Sequence, residues 1–135
     1  MKVITLEEAE AYKAIIYDHV GLLYYYKDDF PNAISSYKEA IRLDPNNPFY
    51  YSDLGGAYYA LGQYKLALDA LNKAIALDNG YALAYKDRAL VKFKLGKYKE
   101  AKEDLETAME LESNFKQDEA IKNLFKEIEY ELLRP

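Results

Sequence analysis

The chain has 135 residues, half of them hydrophobic and 30% charged, and a formal net charge of −5. That length suits one domain able to bury a real core, and the composition is globular rather than disordered. The acidic balance argues against a nucleic-acid binder, which carries a basic face; without cysteine there is no disulfide framework and no thiolate metal site. No stretch reaches the roughly 18 apolar residues of a membrane span, since Asp18 and His19 interrupt AIIYDHVGLLYYY. The opening MKVITLEEAEAYK holds no apolar run of signal-peptide length. A cytoplasmic protein without a membrane association is the expectation.

In chain order, TLEE sets Thr5 three residues before Glu8, the spacing of a capping box. Nothing breaks the chain from there to Tyr26, which predicts a long first helix over 6–26. GLLYYYKDDF then ends that helix on three adjacent tyrosines, Tyr24, Tyr25 and Tyr26. On a helix they fan out at about 100° intervals, so the three rings cannot share one environment. Further helices are predicted over 32–44, 48–61, 65–78, 82–95 and 99–112. Gly62 and Gly96 mark two of the turns between them; Asp28 holds the equivalent place in the first, which is expected to take another shape. Pro45, Asn79 and Ser113 follow the second helix of each pair. A last amphipathic helix over 116–133 puts Ile121, Leu124, Phe125, Ile128 and Leu132 on one face.

The chain repeats itself at an offset of 34 residues. Tyr17, Tyr51 and Tyr85 coincide, as do Gly21, Gly55 and Ala89, and then Phe30, Tyr64 and Tyr98. Ala33, Ala67 and Ala101 form a column, followed by Tyr37, Leu71 and Leu105, by Ala40, Ala74 and Ala108, and by Leu43, Leu77 and Leu111. Each copy reads as two amphipathic helices. Small residues at the eighth, twentieth and twenty-seventh positions let them approach, and large ones beside these, such as Leu54, Tyr58 and Leu71, fill the space. In the third copy Arg88 and Lys92 replace Leu54 and Tyr58; their stems are expected on the core with the charges reaching out to solvent.

This pattern resembles the tetratricopeptide repeat in period and in helix-turn-helix signature. The resemblance covers repeats 14–47, 48–81 and 82–115 of a single domain spanning 1–135, with the final helix as a cap because Asn123 stands where a repeat needs a small residue. It implies an all-α, right-handed superhelical α-solenoid whose first helices line a concave groove. On that register repeat one offers Ile15, Asp18, His19, Leu22, Tyr25 and Tyr26 to the groove; Tyr24 packs between helices. Repeat two offers Phe49, Ser52, Asp53, Gly56, Tyr59 and Ala60, and repeat three Leu83, Lys86, Asp87, Leu90, Phe93 and Lys94. Tyr25, Tyr59 and Phe93 serve equally well as packing residues, and the aspartates as solvated helix residues, so both readings stand at this point.

The resemblance implies a protein-interaction module for a protein or peptide partner, with no cofactor and no enzymatic activity. The family's best-known site clamps acidic C-terminal tails, as in Hsp70 and Hsp90 adaptors, through lysine, asparagine and arginine. The matching positions are Asp18, Leu22, Asp53, Leu83 and Asp87, which would repel a carboxylate or offer it nothing. A partner with apolar or aromatic anchors and some basic residues is expected instead. Catalysis has little to draw on: His19 is the one histidine, no Cys–His pair exists, and no oxyanion site is recognisable near His19 and Ser52. Gly55–Gly56 lies inside a helix, not in a phosphate loop. Two other roles stay open, self-association through the aromatic groove or an exposed end, and carriage of a small molecule should the groove close.

Overall fold

In the computed structural model, which describes residues 2–135, α1 (Leu6–Tyr26) starts on the expected capping box. Glu8 N donates to Thr5 Oγ1 and Thr5 N donates to Glu8 Oε2, each at 3.1 Å. Then follow α2 (Phe30–Leu43), α3 (Pro48–Ala60), α4 (Tyr64–Leu77), α5 (Ala82–Lys94), α6 (Tyr98–Leu111) and α7 (Glu119–Leu133). The described residues contain no strand, and no described helix is long and apolar enough to cross a membrane. The helices pack as antiparallel pairs, α1 on α2, α3 on α4 and α5 on α6, each pair stacked on the next. The result is an α-solenoid whose successive first helices also touch, α1 on α3 and α3 on α5.

Four helix starts differ from the sequence expectation, and α2 to α6 each end one residue earlier than expected. α2 begins at Phe30 rather than at residue 32, because Pro31 fits the first turn, where no backbone donor is required. Asp29 caps that turn by accepting from Asn32 N at 3.3 Å. α4 and α6 start one residue early, at Tyr64 and Tyr98. Residues Ser113–Gln117 form a 3₁₀ turn, so α7 starts not at 116 but at Glu119, behind the Asp118 cap.

The repeat columns become the core. Ala33, Ala67, Ala101, Ala40, Ala74, Ala108 and Ala89 are wholly buried, and Tyr37, Leu71 and Leu105 are the large residues set among them. The two glycines of the eighth-position column mark the closest approach. A Cβ on Gly21 would lie 2.5 Å from Tyr37 Cε1, and one on Gly55 2.8 Å from Leu71 Cγ. α7 covers the end of repeat three with Ile121, Leu124 and Ile128, while Leu132 stays exposed.

The third repeat corrects one expectation. Arg88 and Lys92 do not send their charges to solvent; both turn inward onto Asp104, which is 5% exposed. Arg88 grips it with two hydrogen bonds of 2.7 Å, Nε to Oδ2 and Nη2 to Oδ1, and Lys92 Nζ adds a 2.8 Å ion pair. A third bond, Arg88 Nη1 to Asn72 Oδ1 at 3.0 Å, ties the guanidinium to α4. The cause is at the twenty-third position, where Ser36 and Ala70 are followed by Asp104. A buried carboxylate is costly alone and tolerable with two cations fixed on it.

The first turn supplies another correction. Asp28 does not reshape it: with φ 59° it adopts the left-handed conformation of Gly62 and Gly96, at 76° and 77°. The hydrogen bonds match too, Asp28 N to Tyr25 O and Asp29 N to Tyr24 O repeating Gly62 N to Tyr59 O and Gln63 N to Tyr58 O. The helix-ending motif dictates the backbone, and the side chain accepts the strain. Asp28→Gly should therefore raise stability by about 0.5–1 kcal/mol, read as a higher urea midpoint at unchanged slope. A lower midpoint would show that the Asp28 carboxylate stabilises the turn.

Candidate peptide-binding groove

Three connected cavities run along the concave side. Leu22, Tyr25, Ser52, Asp53, Gly56, Leu83 and Asp87, with Tyr37 behind them, surround the first, of about 140 Å³. Tyr25, Gly56 and Asp87 continue into the second, of about 230 Å³, with Tyr59, Lys86 and Leu90. Tyr59 and Leu90 continue into a third of about 240 Å³, where Phe93 and Lys94 face Ala120, Asn123, Leu124 and Glu127. None is large enough to enclose a small-molecule ligand, whose pockets run to about 300 Å³ and more. Together they form a trough.

Most residues that the repeat register assigns to the groove line this trough. Asp18 lines none of the three cavities, though its carboxyl lies close enough to Asp53 to perturb it. His19, Tyr26 and Phe49 are exposed and line none of the three cavities; neither do Ile15 and Ala60. Tyr26 is 75% exposed, and its ring meets Tyr25 edge-on at 5.9 Å. Phe49 stands edge-on over Tyr81 at 5.0 Å. Ser52 is buried beside the Tyr81 hydroxyl while His19 lies in solvent, so no catalytic pairing of the two is formed. Among the described residues no group of three or more His, Asp or Glu side chains is placed to hold a metal ion.

The ambiguity of the aromatic column resolves into both readings at once. Tyr25 rests on Phe30 at 5.3 Å, Tyr59 on Tyr64 at 5.7 Å and Phe93 on Tyr98 at 5.5 Å, the same ring pair in every repeat. All three are half-buried, and each borders a cavity. Packing on the second helix fixes the ring, and its free side becomes floor. Tyr24 packs against the core, as its place between helices requires. Sequence reasoning missed the α7 wall (Ala120, Asn123, Leu124, Glu127) and Tyr37, whose column reads as core alone.

The first cavity holds unusual electrostatics. Burial, the hydrogen-bonded Asp18 carboxyl with its charge, and the charge of Asp87 push Asp53 up to about 9. Burial likewise raises Asp87 to about 6, against the pull of Lys86 Nζ 3.6 Å away. Burial chiefly, then the neighbouring aspartates, raises the phenols of Tyr37, Tyr25 and Tyr81. Asp18 Oδ1 is sealed from solvent without a hydrogen-bond donor, and neither Asp18 nor Asp53 is among the ion pairs of the described residues.

Paired helices stack at a 34-residue period with a trough along the first helices, and one family model falls on the chain twice at that same offset. Residues 21–62 and 55–96 match a TPR repeat model, and residues 82–115 match a tetratricopeptide repeat model. The chain belongs to the tetratricopeptide repeat family. Comparison with curated proteins gave no match. Among solved structures, the TPR domain is similar to the first TPR of Spaghetti (RPAP3), bound to the HSP90 peptide SRMEEVD. That pair shares 31% identity and a TM-score of 0.86 over 92% of this chain and 96% of the other. The first TPR domain of human RPAP3 matches at 30% identity and 0.85, over 90% and 94%. A yeast Sti1 TPR2B-domain complex with pHsp70 matches at 27% and 0.81, over 87% and 97%.

The acidic cavity makes stability of this TPR domain pH-dependent. Asp53 is held protonated in the folded chain but ionises at about 4 when unfolded, so between those values the folded state binds the extra proton. Stability supplied by that proton is complete below about 4 and drains away as pH rises towards 9. The melting temperature should fall from pH 5 to pH 9, and Asp53→Asn should flatten the fall. A profile that rises over this interval, or one unchanged in the variant, would place the titration elsewhere.

Proposed function

We propose that this TPR domain is a protein-interaction module that holds an extended segment of a partner protein in its concave trough. The observation that carries this reading is the continuous floor of half-buried rings, Tyr25, Tyr59 and Phe93, each fixed by a second ring and left open on the groove side. Its structural relatives in complex with an HSP90 peptide and with pHsp70 support the general role. The charges favour a different ligand from the acidic SRMEEVD. The positions matching a carboxylate clamp carry Asp18, Asp53 and Asp87 with Leu22 and Leu83, so the domain prefers a segment with Lys or Arg over repeats one and two and apolar anchors along the floor. Lys86 is spent on Asp87, and exposed Lys94 gives the far end a basic edge. Anchors set the affinity and charges the orientation. For a partner isolated by pull-down, Tyr59→Ala should weaken binding by more than about 1 kcal/mol, and Asp53→Lys should weaken it by repulsion. Titration of both folded variants checks this; unchanged affinity in both moves the ligand off the groove.

A second reading has its own observation. Tyr12, Ile16 and Leu23 lie on the outer face of α1 at 60%, 61% and 64% exposure. They run up to a surface cavity of about 230 Å³ between Val20, Leu23, Tyr24 and Lys27. Such a stripe fits self-association through the end of the solenoid. Light scattering should then give a dimer mass that Ile16→Glu returns to monomer; a monomer at high concentration removes this reading.

A further inference from the structure

The outer face of α1 is made like an internal surface of the solenoid. At the 34-residue offset Ile16 is followed by Tyr50 and Ala84, Val20 by Leu54 and Arg88, and Leu23 by Ala57 and Val91. In repeats two and three that face is covered by the second helix of the repeat before, α2 on α3 and α4 on α5. Tyr50 is accordingly 3% exposed, and Ala57, Ala84 and Val91 have no exposed surface. Ile16 and Leu23, apolar as well, are 61% and 64% exposed. The other end of the solenoid is closed differently, by α7 with Lys122, Lys126 and Glu129 towards solvent.

Two features of the face indicate what covers it. The surface cavity of about 230 Å³ is bounded by Val20, Leu23, Tyr24 and Lys27. These are residues i, i+3, i+4 and i+7, the four-residue hole that receives one side chain of a facing helix. Tyr12, 60% exposed, stands on the same stripe about three turns away and can fill such a hole. A second α1 laid antiparallel, with the two-fold between residues 17 and 18, sets Tyr12 of each copy over the socket of the other. The same register brings Lys27, free of ion pairs among the described residues, opposite Glu8 and the acidic first turn of the copy. Antiparallel helix dipoles favour that order. A parallel pair would instead set Lys27 against Lys27 and leave the socket facing its own kind.

We propose that a second copy of this chain covers the face, α1 against α1 in an antiparallel two-fold pair, with Tyr12 of each protomer seated in the Val20–Lys27 socket of the other. This rests on the self-association reading above and names its occupant, register and direction. The contact uses the same patch on both chains, so it closes at two copies and cannot propagate into a filament. It gives repeat one the cover that α2 gives α3 and α4 gives α5.

The chain has no cysteine, so one introduced thiol reports one position. Tyr12→Cys and Leu23→Cys chains, both changed at exposed sites, are oxidised separately and as an equimolar mixture, then read by non-reducing electrophoresis. Cysteines join only when their Cα atoms lie within about 7 Å. The mixture should give a disulfide dimer, since one end of the mixed pair opposes the two thiols while the other keeps an intact Tyr12 in its socket. Neither chain alone should cross-link, and Ile16→Glu added to both should abolish the product of the mixture. Cross-linking by the Tyr12→Cys chain alone makes the pair parallel and overturns the proposal. A cross-link that survives Ile16→Glu overturns it too. Light scattering of the unsubstituted chain separates the two levels. A dimer mass with no cross-link in the mixture leaves self-association standing and removes this arrangement, whereas a monomer mass at millimolar concentration with no cross-link removes both.

Discussion

The architecture depends on how closely two helices of a pair can approach. At Gly21 and Gly55 the missing side chain is what allows the Tyr37 ring and the Leu71 side chain to press on the opposing backbone. Alanines with no exposed surface do the same from the second helices. Interiors are packed at crystal density and cannot absorb an added methylene there without displacement. Close approach sets the tilt of each pair. The tilt, repeated at the same residues in each copy, sets the stacking and so the curvature that makes a concave side.

That constraint explains why the sequence was so readable for the fold. The contacts are local and recur at a fixed period, so columns such as Tyr37, Leu71 and Leu105 announce their burial without any knowledge of distant parts of the chain. Helix ends were less legible. α2 starts before the expected residue 32 because Pro31 serves as a first-turn residue, and Asp28 reads as a departure but is held in the left-handed turn by the hydrogen bonds of that turn. At Asp28 the backbone demand outweighs the preference of the residue.

The groove was legible in outline and not in its chemistry. The register named the floor, because which face of α1, α3 and α5 turns inward follows from periodicity alone. It could not show that Asp18 and Asp53 meet, since they lie on different helices and only the stacking sets their distance. Nor could it show the inward turn of Arg88 and Lys92, although a signal was present. Two apolar columns become basic in the same repeat in which a small column becomes Asp104, and three coordinated exceptions in one copy point to one another. Repeat three thus replaces an apolar seam with an ionic one of comparable reach.

Gly56 differs from its neighbour Gly55 in a way that bears on how such a domain diversifies. Gly55 is filled against Leu71, whereas a side chain at 56 would project into empty space between the first two cavities. A glycine in a helix interior costs about 1 kcal/mol relative to alanine, and here no packing offsets that cost. What it secures is depth at the midpoint of the trough. Position 56 is accordingly a setting that can be changed without reference to the core: alanine would make the floor shallower, a larger residue would divide the trough in two, and the solenoid beneath would be unaltered. Selectivity and stability are separable at this one residue, which makes it the natural place for a chain of this design to acquire a new partner.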